Sequence, residues 1–380
     1  MKMKKFLYSL LFLCVISPVW AAVGLPADPP RIEARAWMLL DASSGQILAA
    51  RNEDQKLAPA SLTKMMTAYV VFEAIKSGKL KSGQNLKVSE RAASAAGARM
   101  FARVGQEIKL DDLLMALIVQ SGNDAALVLA EGVAGSEEAF VGMMNAQAKK
   151  LGLDSTRFAN ATGHSQPDHY SSARDMTRLA NWMIQSFPQQ YKRYYAQREF
   201  TFNGVTQQNR NRLLWLDPQV DGVKTGYTSA AGYCLVASAE RGKRRLIATV
   251  MGARSEVDRG MHAQKLLNYG FLETESLRYY RAGQAVARIP VYKGSSRELP
   301  IGFLKDFSLT TQKGVSSRIK AQVITEQPYI APLKKGQVMG TLRLTLDGET
   351  LGHYPLVALN DVPVAGWFGR FWDGLRLLWK

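Results

Sequence analysis

The chain has 380 residues, 47% of them hydrophobic, so it can bury a sizeable core, and its length suggests two or three domains. It holds two cysteines, one of them in an N-terminal leader, which excludes an intramolecular disulfide and leaves packing to stabilise the fold. The formal charge of +17 suggests nucleic acid or an anionic surface as partner.

Residues 1–21 carry Lys2, Lys4 and Lys5, an apolar run from Phe6 to Ile16, and Val19 and Ala21 at the −3 and −1 positions of a cleavage site. This predicts a secretory signal peptide, since the apolar run is well short of the ~20 residues of a spanning helix. Leu13 before Cys14 argues against lipid attachment. Without the leader, 46 Lys and Arg face 32 Asp and Glu, a charge of +14. An exported chain rarely meets nucleic acid, so head groups and cell-wall polymers are the expected anionic partners. The one dense basic run, Lys243-Arg244-Arg245, reads as a solvated cluster beside a hairpin turn.

Residues 35–52 read as strand, turn, strand around Ser43-Ser44-Gly45. Pro59 precedes a helical stretch that ends at Gly78. Apolar residues at helical spacing flank "SGND", so two helices are joined by a short loop at 121–124. An amphipathic helix covers 136–151. Residues 152–172 are loop-like, and a helix follows after Asp175. Two strand pairs appear from 198, with "YCLVASAE" and "RRLIATVMGA" the clearest; Cys234 there reads as a buried small hydrophobe. A helix near 258–270 closes an α+β domain of about 250 residues, 22–274. Short strands between Gly and Asp-Gly turns then predict a small all-β domain, 275–362.

Pro363 marks a break before a tail, 363–380, ending "GWFGRFWDGLRLLWK". Trp367, Phe368, Phe371, Trp372, Leu375, Leu378 and Trp379 share one arc of a helical wheel, and Arg370, Asp373, Arg376 and Lys380 lie opposite. A 15-residue helix is roughly 22 Å long, short of the ~30 Å hydrocarbon core. The expectation is an amphipathic helix lying on a membrane surface through residues 366–380.

Ser61 and Lys64 stand three apart at the start of the first long helix, close enough for a hydrogen bond. Serine is a poor nucleophile until a base takes its proton. For lysine to be that base at neutral pH, its pKa must fall roughly 3 units from ~10.4, by burial or a nearby cation. A lone S-x-x-K is ordinarily a capping serine and a surface lysine. Here it is followed by Ser121-Gly122-Asn123 in a helix-to-helix loop and by Lys224-Thr225-Gly226 on an apolar strand. The ordered trio matches the S-x-x-K, S-D-N and K-T-G set of penicillin-binding proteins and class A β-lactamases, with S-G-N in the middle.

The stretches "APASLTKMMTAY", "SGNDAA", "YSSARDM", "NRNRLLW", "DGVKTGYTSAAGYCLVASAE" and "VMGAR" extend the match. The chain resembles the low-molecular-mass penicillin-binding proteins of the D-alanyl-D-alanine carboxypeptidase type across essentially all of its mature length. The resemblance implies a transpeptidase-like catalytic domain with no cofactor, acting on peptidoglycan pentapeptides and acylated by β-lactams. It implies that Ser61 attacks the carbonyl between two terminal D-alanines, with Lys64 accepting its proton and Lys224 lowering the Lys64 pKa. Ser121 would relay a proton to the leaving amine, and Asn123 would hold Lys64 and the substrate amide. Thr225 and an arginine, Arg259 first and Arg254 second, would bind the terminal carboxylate. Gly226 would admit the substrate backbone, and the N–H groups of Ser61 and Tyr227 would form the oxyanion hole. It also implies a place on the periplasmic side of the bacterial inner membrane.

Two positions depart from the family pattern: Tyr227 where His often follows K-T-G, and His164 where Leu commonly follows "TG". His164 and His169 lack metal spacing, so no metal is expected and the histidines carry little weight. Residues 152–175 contain no Glu, which argues against the deacylating step of a class A β-lactamase. A D,D-endopeptidase and an inactive cell-wall binding module remain alternatives.

Overall fold

The computed structural model describes residues 24–26, 28–367 and 370–373. The predicted leader and most of the predicted tail helix lie outside these residues. The central sheet has five antiparallel strands, β1 (Ala36–Asp41), β2 (Gln46–Arg51), β3 (Val220–Thr228), β4 (Gly232–Arg241) and β5 (Arg244–Ala253), in the order β2-β1-β5-β4-β3. Both of its faces are covered, which is why its strands read as near-continuous apolar runs. Met38, Leu40, Val236 and Met251 pack to one side with Leu62, Met65, Leu117 and Met176. Trp37, Leu39, Leu235 and Val250 pack to the other with Ala263, Leu266 and Leu267. The alternation along β1 is the period of two that a strand imposes.

The helices that position the site are α1 (Lys64–Lys76), α2 (Asn123–Ala134), α3 (Glu137–Lys150), α4 (Ala173–Ser186) and α5 (Glu256–Glu273). Three expected boundaries move. Asn123 and Asp124 belong to α2, not to the loop before it, and a π-helical turn, Ala116–Gln120, leads into Ser121. Helix α4 starts before Asp175 because Ser172 Oγ accepts from the Asp175 N–H at 3.1 Å. Helix α5 starts ahead of 258 because Ser255 Oγ accepts from the Asp258 N–H at 3.0 Å. A serine acceptor at the N-cap satisfies one of the free N–H groups that open a helix.

From 274 to 358 the described residues form strands and one 3-10 turn, Ser316–Arg318. Strand Thr274–Tyr280 pairs with Phe307–Gln312, and six further strands form a second sheet. Leu299, Ile301, Leu309, Leu342, Leu344 and Leu356 give this unit a core of its own. The molecule is therefore an α+β catalytic unit followed by a small all-β domain.

The basic run at 243–245 is not a solvated cluster. Arg244 Nε donates to Asp41 Oδ2 at 2.8 Å, and Arg245 bonds Asp221 at 2.7 Å and Glu240 at 2.5 Å. Asp41 is fully buried, and its Oδ2 also accepts from Thr310 Oγ1 of the β domain at 2.9 Å. Gln46 and the Thr310 backbone exchange two further hydrogen bonds. This cluster joins the two domains.

Candidate active site

Pro59 leads into a single 3-10 turn, Ala60–Thr63, which continues as α1. Residues i and i+3 eclipse in such a turn, and the turn brings Lys64 Nζ to 3.2 Å from Ser61 Oγ. Lys64 is 1% exposed. Its Nζ also lies 2.7 Å from Asn123 Oδ1 and 2.5 Å from the Thr162 carbonyl. Burial, then the Arg210 guanidinium, pull its pKa from the ordinary 10.5 to about 7, against a smaller upward pull from Asp124. A neutral amine has two N–H bonds and one lone pair. Two oxygen acceptors use the N–H bonds, which leaves the lone pair facing the Ser61 hydroxyl.

Three backbone features make this packing possible. Gly163 has φ +93°, and a Cβ there would stand 2.0 Å from the Ala60 carbonyl oxygen, so only glycine lets the 160–164 loop close over the nucleophile's turn. A Cβ on Gly226 would stand 3.1 Å from Ser61 N, so the β3 backbone runs directly beside the nucleophile. Ser121 sits at φ 66°, a strained left-handed conformation, after the π-helical turn. Its Oγ accepts from Lys224 Nζ at 2.9 Å. Burial, then Lys64, Arg210 and Arg259, push the Lys224 pKa well down. The cation that lowers Lys64 is therefore Arg210 and not Lys224 as expected, while Lys64 itself helps to push Lys224 down.

Asp124, one residue beyond Asn123, is fully buried and accepts from the N–H groups of Met100 (3.0 Å), Ala102 (3.2 Å) and Ala125 (2.8 Å). It ties the 97–102 loop, one wall of the cleft, to the start of α2. His169 is also buried. Its Nδ1 accepts from the Ala159 N–H at 3.0 Å, so Nε2 donates to Thr63 Oγ1 at 2.7 Å. Burial and then Lys64 hold its pKa near 4, which makes it a neutral support for the loop.

Ser61, Ser121, Asn123, Thr225, Gly226, Tyr227 and Arg259 line one cleft, with Lys64 and Lys224 buried in its floor. Arg259 is 4% exposed, with Nη2 at 3.2 Å from Glu256. Arg254 is not brought to the cleft. Its side chain is 80% exposed and meets Glu33 at 3.3 Å, because β5 ends there and the chain turns outward before α5. Sequence reasoning missed Arg210, which lines the cleft and, after burial, does most to lower the Lys64 pKa. It stands in the quoted "NRNRLLW" stretch, but nothing in local spacing places residue 210 beside residue 64. It also missed Thr162, Gly163 and His164. The glycine between two polar residues was the available signal. Among the described residues, no group of three His, Cys, Asp or Glu is arranged to hold a metal.

Residues 24–255 match the family described as D-alanyl-D-alanine carboxypeptidase, and residues 275–364 match the penicillin-binding protein 5 C-terminal domain. The chain is 41% identical over 370 residues to the Escherichia coli D-alanyl-D-alanine carboxypeptidase DacC, covering 95% of this chain and 92% of that protein. The structure of penicillin-binding protein 5 from Haemophilus influenzae superposes with a TM-score of 0.86 at 40% identity, covering 89% of this chain and 100% of the other. Penicillin-binding protein D2 from Listeria monocytogenes in its ampicillin-bound form superposes with a TM-score of 0.59 at 30% identity, covering 64% of this chain and 99% of the other.

Proposed function

The chain belongs to the D-alanyl-D-alanine carboxypeptidase family of serine peptidases, and from that premise we propose how its cleft removes the terminal D-alanine of a peptidoglycan pentapeptide. Ser61 Oγ attacks the carbonyl of the penultimate D-alanine as Lys64 Nζ takes its proton. The observation that carries this reading is the Lys64 lone pair, buried, depressed to about 7 and 3.2 Å from Ser61 Oγ. The N–H groups of Ser61 and Tyr227 stabilise the oxyanion. As the tetrahedral adduct collapses, the C–N bond breaks, and Ser121 passes a proton from Lys224 to the leaving amine. Thr225 and Arg259 hold the terminal carboxylate, with Arg210 as the second cation in place of Arg254. The proton that Lys64 took from Ser61 passes on to Lys224, which resets both lysines; water then attacks the Ser61 ester, with Lys64 again as base, and releases the tetrapeptide. A β-lactam acylates Ser61 by the same route.

The purified mature chain should take up fluorescent penicillin, lose that labelling in Ser61→Ala, and release D-alanine from a pentapeptide. Labelling that survives Ser61→Ala would remove Ser61 from its role. Labelling without D-alanine release would favour endopeptidase or transfer activity.

We further propose that the chain is exported by residues 1–21 and held at the periplasmic face of the inner membrane by residues 366–380. Trp367, Phe371 and Trp372 are 65%, 58% and 62% exposed, which supports an interfacial role. Among the described residues no helix is long and apolar enough to cross a membrane. Truncation after Pro363 should move the protein from the membrane to the soluble fraction; a truncated chain that stays with the membrane overturns the anchor.

A further inference from the structure

Asn123 has one amide and three neighbours. Its Oδ1 lies 2.7 Å from Lys64 Nζ, and its Nδ2 donates to the Ala96 carbonyl at 2.6 Å. The remaining N–H of Nδ2 points to His164 Nε2, 3.3 Å away. His164 occupies the loop position that departs from the family pattern, and it lines the cleft beside Thr162 and Gly163. Its backbone is held in turn, since Asn160 Nδ2 donates to the His164 carbonyl at 2.9 Å.

We propose that His164 is a positioning residue for acylation, holding the Asn123 amide so that its oxygen, and not its nitrogen, faces Lys64. The orientation matters because a primary amide can turn over with little change of shape. With Oδ1 towards Lys64, the amide accepts one amine N–H and leaves the lone pair for the Ser61 proton. With Nδ2 towards Lys64, the amide donates into that lone pair, and the base is blocked. His164, accepting at Nε2, favours the first arrangement together with the Ala96 carbonyl.

Glu137, the carboxylate on this side, has its oxygens engaged by the Ala161 N–H at 2.9 Å and by Arg91 at 2.5 Å. On the cleft side stand Lys64 and Lys224 in the floor and the cations Arg210 and Arg259 in the walls.

The inference rests on Lys64 being the base, and its test separates the two. Acylation rate constants with fluorescent penicillin are measured from about pH 5.5 to about pH 8 for the wild-type chain, His164→Leu and His164→Gln, with melting temperatures as a check on folding. His164→Leu should acylate about threefold to tenfold more slowly near the upper limit, the worth of one neutral hydrogen bond. His164→Gln places an amide acceptor at the same reach, and it should restore the wild-type rate. A Leu variant as fast as wild type, or a Gln variant as slow as Leu, overturns the proposal. A Lys64→Met variant that still acylates would instead overturn the base assignment on which it rests.

Discussion

Lys64 loses its proton at about 7 when folded, against 10.5 ordinarily. That difference corresponds to about 5 kcal/mol of disfavoured charge. Between these two values the unfolded chain holds the proton and the folded chain does not, so stability rises with pH across that window. Below about pH 7 both states are protonated and the full cost applies. In the proposed mechanism acylation needs the neutral amine, so kcat/KM for D-alanine release should fall on the acid side of about pH 7, approaching tenfold per pH unit. Lys64→Met should abolish acylation and raise the melting temperature at about pH 6, since the buried charge is gone. An unchanged acid limb in a β-lactam acylation assay, or a Met variant less stable than wild type at that pH, would count against a depressed Lys64.

At the scale of elements, the site depends on close approach between loops that no single helix or strand could achieve. The 160–164 loop delivers the Thr162 carbonyl to Lys64 only because Gly163 tolerates φ +93° against the Ala60 carbonyl. Gly163→Ala should therefore displace the loop by the better part of an ångström and lower the acylation rate by about a hundredfold or more. The measurement is penicillin labelling over time alongside a melting curve, and an Ala variant with native kinetics would show that the contact is not needed. The helices and strands around this loop were largely legible in the sequence, because their apolar spacing is local. The loop was not, since its conformation is set by what it covers. Arg210 escaped for the same reason, while Arg254 stood second to Arg259 by spacing, and the end of β5 turns it to solvent.

For the whole molecule, the join between domains is polar and buried. Asp41, fully enclosed, is shared by Arg244 and by Thr310 of the β domain. Removing one partner of a buried pair leaves an uncompensated charge, so Arg244→Met should cost about 3–5 kcal/mol in urea unfolding. Arg244 also donates to the carbonyls of Gly270 and Thr274, where α5 passes into the β domain. The loss should therefore destabilise both domains together; a change under about 1 kcal/mol would mean the pair is worth no more than a surface contact. The sequence reading took this arginine for a solvated charge, because its carboxylate partner lies 203 positions away.

By itself the sequence determined the class of chemistry, the order of the three motifs and the two-domain plan. Those follow from residue type, local spacing and hydrophobic period, which travel along the chain. Only the tertiary structure decided the state of the base and the cations and loop around it. The depression of Lys64 is the sum of burial and of Arg210, brought together from opposite parts of the chain, and the orientation of its lone pair depends on Asn123 and Thr162. Desolvation and charge–charge interaction depend on distance in space, and distance in space is what folding adds to a sequence.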